Sequence, residues 1–254
     1  MTNPPNTERK IGAEKAEVSD KHLRKALNMM DISYLVIGAL IGSGWLFGSL
    51  YAAATAGPAA IISWILGGIF LLFVALAFAE LGGMIPKSGA IVRYPQYSHG
   101  SFASYILAWA YLLTAIAVAP SEAEAAVTYM SSYIPGLLTP TGLLTLKGGL
   151  VAFALLTFFF LLNYFGVHVM GKTNTGIGWW KLIIPILTVV LLLALFFHPA
   201  NIASLPGGFL PYGAAPLFLA LPTTGIVYAY LGFRQGIEYG GEAKNPQRDL
   251  PLGT

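Results

Sequence analysis

The chain contains no cysteine and very little charge. Without cysteine there can be no disulfides, thiolate metal sites, iron–sulfur clusters or cysteine nucleophiles. Histidine is scarce as well. His22, His99, His168 and His198 lie far apart, with no HxxxH or HExxH pairing, so no metal site is expected. No GxSxG or paired-carboxylate pattern occurs, which argues against an enzyme, and no cofactor is implied. Charged residues make up 10% of the 254 positions, against about 25% in an ordinary soluble domain. That is too few to coat a soluble fold of this size. A net charge of +3 is also too small to point to nucleic acid as a partner.

What is present is apolar. Hydrophobic residues make up 56% of the chain, and about half of the charged ones fall in the first 31 or the last eleven positions. The stretches between are long and nearly uncharged, and membrane lipid is their natural solvent. The pattern predicts an all-α membrane protein with about six transmembrane helices. Spans are expected at about 32–56, 58–79, 101–133, 148–167, 178–197 and 214–241, each near or above the ~20 residues that cross a bilayer. The third and sixth are too long for straight crossings, so tilt or a break is expected there. Residues 1–31 are polar, with no apolar core or small-residue cleavage site, and read as a tail rather than a signal peptide. Residues 242–254 read as a second polar segment.

Lysine and arginine set the expected orientation. Arg9, Lys10, Lys15, Lys21, Arg24 and Lys25 precede the first span, Lys87 and Arg93 follow the second, Lys172 follows the fourth, and Lys244 and Arg248 follow the sixth. The alternate loops, 134–147 and 198–213, hold only Lys147. The positive-inside bias predicts a multi-pass cell-membrane protein with a cytoplasmic N-terminus and a cytoplasmic segment at 242–254.

The chemistry is expected where helices fail. The first span contains Gly38-Ala-Leu-Ile41-Gly42-Ser43-Gly44-Trp45. So many glycines make a poor continuous helix. One reading is a GxxxG packing face built on Gly38 and Gly42. The other is an unwound segment whose free N–H groups and helix dipole attract an anion. The sixth span contains Tyr228-Ala-Tyr230-Leu-Gly232-Phe233-Arg234-Gln-Gly236-Ile-Glu238, with charge and glycine inside an apolar stretch. Non-helical backbone at membrane depth must line a cavity or be buried in protein. Two interrupted spans in corresponding positions of two halves point to an inverted-repeat transporter.

These segments carry a resemblance. Ile41-Gly-Ser-Gly-Trp-Leu-Phe47 resembles the GSGIF-type first-helix motif of the amino acid–polyamine–organocation (APC) permease superfamily. Pro86-Lys-Ser-Gly89-Ala90-Ile-Val-Arg-Tyr94 is similar to its PxxGGxY loop, with Ala90 for the second glycine. Glu242-Ala-Lys-Asn245-Pro246-Gln-Arg248-Asp-Leu-Pro251 is similar to its EExKNPxRxIP segment, and Gly232-Phe233 matches its GFE motif up to the third position. The resemblance implies secondary amino-acid transport, with substrate held on broken first and sixth helices. It implies carboxylate contacts at the N–H groups of Ser43 and Gly44, with Gly42 permitting the break. Ammonium contacts would come from carbonyls near Ile41 and around Tyr230 to Gly232, and the substrate side chain would rest on Tyr230 and Phe233. Lys181 matches a fifth-helix lysine implicated in coupling to H+, although a lysine near a span end also snorkels.

Two departures stand out. Arg234 replaces the usual Glu, and pairs with Glu238 one turn on or serves an anionic substrate. The family core is two five-helix repeats, of which this chain supplies one repeat and the next helix. The remaining C-terminal helices are expected from a longer chain or another subunit. A second reading is a non-transporting scaffold or partner subunit derived from a permease half.

Overall fold

The computed structural model describes residues 23–203 and 206–254, the side chains of 46, 165–178, 201 and 203 excepted. The tail expected at 1–31 therefore lies outside the described residues as far as residue 22, and the side chain of Lys172 does too. The described residues are helical with no strand, only isolated bridges.

The first expected span is split. Helix α1, Met29–Leu40, begins with a capping box in which Asn28 accepts from the Met30 and Asp31 N–H groups and Asp31 accepts from the Asn28 N–H. It stops at Ile41, and α2, Gly44–Ala56, starts afresh after Ser43. A 3₁₀ turn over Gly57–Ala59 follows, with Gly57 at φ 63°, before α3, Ala60–Met84. The apolar stretch Phe47–Met84 has 38 residues, ~57 Å at ~1.5 Å per residue. That nearly doubles the ~30 Å hydrocarbon core, so Gly57 is the divide between the stretches expected at 32–56 and 58–79.

A short amphipathic helix, α4, Ala90–His99, precedes α5, Ser101–Met130. Helix α6 runs Leu146–Phe196 and contains two crossing-length apolar segments, Leu146–Tyr164 and Trp179–Phe196, where two spans are expected at 148–167 and 178–197. After the short α7, Ala200–Ala203, comes the bent pair that answers to the sixth span: α8, Ala215–Thr223, and Ile226–Glu238, at 49°. The second member is α9, Ile226–Ala229, a 3₁₀ turn Tyr230–Phe233, and α10, Arg234–Glu238. Another 3₁₀ turn, Gly240–Glu242, leads into α11, Pro246–Gly253.

The chain forms two compact units, residues up to Ala108 with Gly178–Thr254, and Trp109–Ile177. In the smaller unit Ala123 and Val127 of α5 bury against Ala152 of α6, with Leu137 between. In the larger unit α2, α3, α8 and α9 bury Ala52, Ala56, Ala60, Ala220, Leu221 and Ile226. Most other large apolar side chains of the long helices are exposed, such as Phe73, Phe102, Leu113 and Phe196. Water would penalise such faces and lipid would not. With the sequence pattern, this makes the protein an all-α membrane protein.

Candidate binding site at two broken helices

The break in the first span covers Ile41, Gly42 and Ser43. It leaves α2, a thirteen-residue helix, starting at Gly44 with no side-chain cap on its first N–H groups. An uncapped helix start presents N–H donors and the positive end of the dipole. A Cβ at Gly38 or at Gly44 would meet no atom within 4 Å among the described residues. Neither glycine is filled by a neighbouring side chain there, and the helix is interrupted between them.

The opposite end of the break is also engaged. Lys181 donates from Nζ to the Gly38 carbonyl at 2.9 Å, and Trp179 packs on Tyr34 with ring centroids 6.1 Å apart. The lysine satisfies one of the carbonyls that a helix C-terminus leaves open, where the dipole favours a cation. Its ammonium thus sits about one turn from the break.

The sixth span meets the first at close quarters. A Cβ on Gly232 would lie 2.6 Å from the Leu40 nitrogen and 2.8 Å from the Ala39 carbonyl carbon. Only glycine lets these two backbones approach so closely. Beyond the break, a Cβ on Gly48 of α2 would lie 3.5 Å from the Thr224 carbonyl oxygen. Ile41, Gly42, Ser43, Gly44 and Gly232 are thus gathered around one crossing of two interrupted helices.

Tyr230 and Phe233 have partners there. The Tyr230 hydroxyl donates to the Trp64 carbonyl at 3.1 Å, and its ring meets Trp64 edge-on at 5.7 Å. Phe233 is buried against Phe78, 5.9 Å between centroids. Both rings anchor the sixth span to α3. Arg234 and Glu238 sit one turn apart on α10.

The structure moves one feature. The sequence places the sixth-span interruption around Tyr230 to Gly232, but the bend falls at Thr224-Gly225, and Tyr230–Phe233 is a tightened 3₁₀ turn. Gly225 sits at φ 86°, a conformation natural to glycine. The signal was Pro222-Thr-Thr-Gly225, a proline and a glycine inside an apolar stretch. Sequence reasoning also missed Ser63, whose buried hydroxyl donates to the Leu217 carbonyl at 2.8 Å and fastens α3 to α8.

Residues 27–254 match the amino acid permease family. The chain belongs to that family. The chain is 44% identical over 239 residues to the glutamate/serine transporter AimA of Bacillus subtilis (strain 168), covering 91% of this chain and 44% of that protein. It is 36% identical over 232 residues to the aspartate-proton symporter of the same organism, again 91% and 44%. It is 27% identical over 249 residues to that organism's branched-chain amino acid permease BcaP, covering 94% and 52%. The chain thus spans about half the length of the curated relatives it matches.

Proposed function

We propose that this permease chain works as part of a secondary carrier that moves amino acids across the cell membrane, with the N-terminus cytoplasmic. The observation that carries the reading is the uncapped start of α2 at Gly44, opening onto a break crossed by the sixth span. In this reading the Ser43 and Gly44 N–H groups hold the α-carboxylate, a charge-assisted contact at a helix start. Carbonyls near Ile41 and around Tyr230 to Gly232 take the ammonium. Tyr230 and Phe233 set the wall on the α3 side. Acidic amino acids are the first substrates to test, because relatives bear the names of a glutamate/serine transporter and an aspartate-proton symporter.

Lys181 is the proposed proton-coupling group. The support for this reading is its hydrogen bond to the Gly38 carbonyl of the first helix, one turn from the break. The remaining helices of the carrier come from the rest of a longer chain or from another subunit.

The test uses a full-length carrier that contains this segment. A cysteine at Ser49 on α2 is labelled in the presence of L-glutamate or of its decarboxylated amine, 4-aminobutyrate. The acid should slow labelling and the amine should not. Equal slowing by both would sink the carboxylate contact, and slowing by neither, with no uptake of any amino acid, would sink the carrier reading.

A further inference from the structure

Helix α4 begins at a residue that cannot cap it. Its N-cap is Gly89, at φ 73°, and no side chain of its own loop accepts from its first N–H groups. An uncapped ten-residue helix has its first N–H groups open and is marginal by itself. The missing acceptor arrives from the sixth span. The Glu238 carboxylate accepts the Ile91 N–H, the second amide after the cap and the position that an N-cap side chain normally serves. The Glu238 backbone carbonyl accepts the Gly89 N–H at 3.0 Å. One residue of α10 therefore supplies both a side-chain and a main-chain acceptor to the start of another helix.

The surroundings are shaped for the same contact. Ala90 and Ile237 are fully buried against each other, and Tyr94 lies in the same cluster one turn along α4. A Cβ on Gly240 would lie 2.9 Å from both the Lys87 nitrogen and oxygen, so the two backbones nearly touch. Gly241 donates to the Ser88 hydroxyl at 3.1 Å. The second Glu238 oxygen and the Tyr94 hydroxyl are both buried and lack a hydrogen-bond partner. A small rotation that lets Tyr94 donate to Glu238 would satisfy both.

We infer that Glu238 is a positioning residue: it is the N-cap of α4 supplied in trans from the sixth span, and it obliges the loop helix to follow that span. Glu238 lies only five residues beyond the Tyr230–Phe233 turn that crosses the first helix. Movement of that turn is thereby passed to α4 through a carboxylate and a glycine contact rather than through a flexible loop. The docking does not depend on what the permease carries, so its test needs no substrate.

The first measurement is amide exchange on the unaltered chain. Ile91, at a position left open in an uncapped helix, should exchange at least about tenfold more slowly than a free amide. Exchange at the free rate would overturn the cap. The second uses the cysteine-free background. A cysteine at the buried Ala90 should label about tenfold faster in Glu238→Ala, the ~1.4 kcal/mol expected of a lost cap. Glu238→Gln, which keeps an acceptor oxygen, should stay within about twofold of the parent. Unchanged labelling in Glu238→Ala, or Glu238→Gln as fast as Glu238→Ala, would overturn the assignment. A cysteine at Leu137, buried in the other unit, serves as the control and should keep its rate in every variant.

Discussion

Gly232→Ala offers the sharpest test of the helix crossing. The new Cβ would meet the Leu40 nitrogen at 2.6 Å and both the Ala39 carbonyl carbon and the Leu40 Cα at 2.8 Å. Ordinary contact for a Cβ begins near 3.4 Å, so relief requires about 0.6–0.8 Å of separation. All three obstacles are backbone atoms, which cannot rotate away as a side chain end can. Overpacking of this kind costs roughly 1–3 kcal/mol. For a chain of this size that is roughly 2–12 °C in Tm, at about 2–4 °C per kcal/mol. Two nearby glycines give the opposite expectation. Gly38→Ala and Gly44→Ala meet nothing within 4 Å and gain about 0.5–1 kcal/mol from reduced backbone freedom. Thermal melts of the three variants in one detergent, read by tryptophan fluorescence, compare them directly. If Gly232→Ala melts with or above Gly38→Ala, the two backbones do not cross where the structure places them.

Further outcomes follow from the same geometry. Gly44→Leu should still insert in the membrane yet lose amino-acid binding by at least tenfold in a full-length carrier, measured by equilibrium binding, while Ser43→Ala should be mild because its N–H remains. Lys181→Ala should abolish pH-driven accumulation and retain some binding; accumulation that survives the change would leave the Gly38 contact as a helix cap only. Ser63→Ala should cost about 1 kcal/mol, read as a lower Tm, because the Leu217 carbonyl loses its buried donor. Burial, and then the Glu238 charge, push the Tyr94 hydroxyl up from 10.0 to about 12. A raised folded value means stability that is intact below pH ~10 and lost as the pH climbs toward ~12. Melts across that range should fall more steeply for the parent than for Tyr94→Phe.

The sequence made the membrane class and the first-helix break legible because both rest on local chemistry. Apolar length is written in consecutive residues, and so is the glycine run from Gly38 to Gly44. Lys181 was placed by its match to a known motif, and its hydrogen bond to Gly38 could not be read from a spacing of this length. The bend at Thr224-Gly225 is a weaker signal in the chain than the more crowded Gly232-Phe233-Arg234, although the glycine there serves close approach and the turn stays wound. Glu238 looked like one half of an ion pair with Arg234. Its part in capping α4 depends on a tertiary approach at Gly240 and Lys87 that no periodicity in the chain encodes.

The pairing of Leu27 with Ala243 has a consequence for how the chain is made. The Ala26 and Leu27 N–H groups both donate to the Glu242 carbonyl at 3.0 Å, and Lys244 donates back to Leu27 at 2.8 Å. Ile32 and Leu250 are then sealed together at that junction. The partners are separated by roughly two hundred residues, ~10–40 s of synthesis at ~5–20 residues per second. Throughout that interval the residues ahead of the first helix leave the ribosome with no acceptor to meet. The first helix must therefore enter the membrane on its own apolarity and the Asn28–Asp31 capping box, and its anchorage at that end is completed only when the sixth span and the residues through Lys244 have emerged.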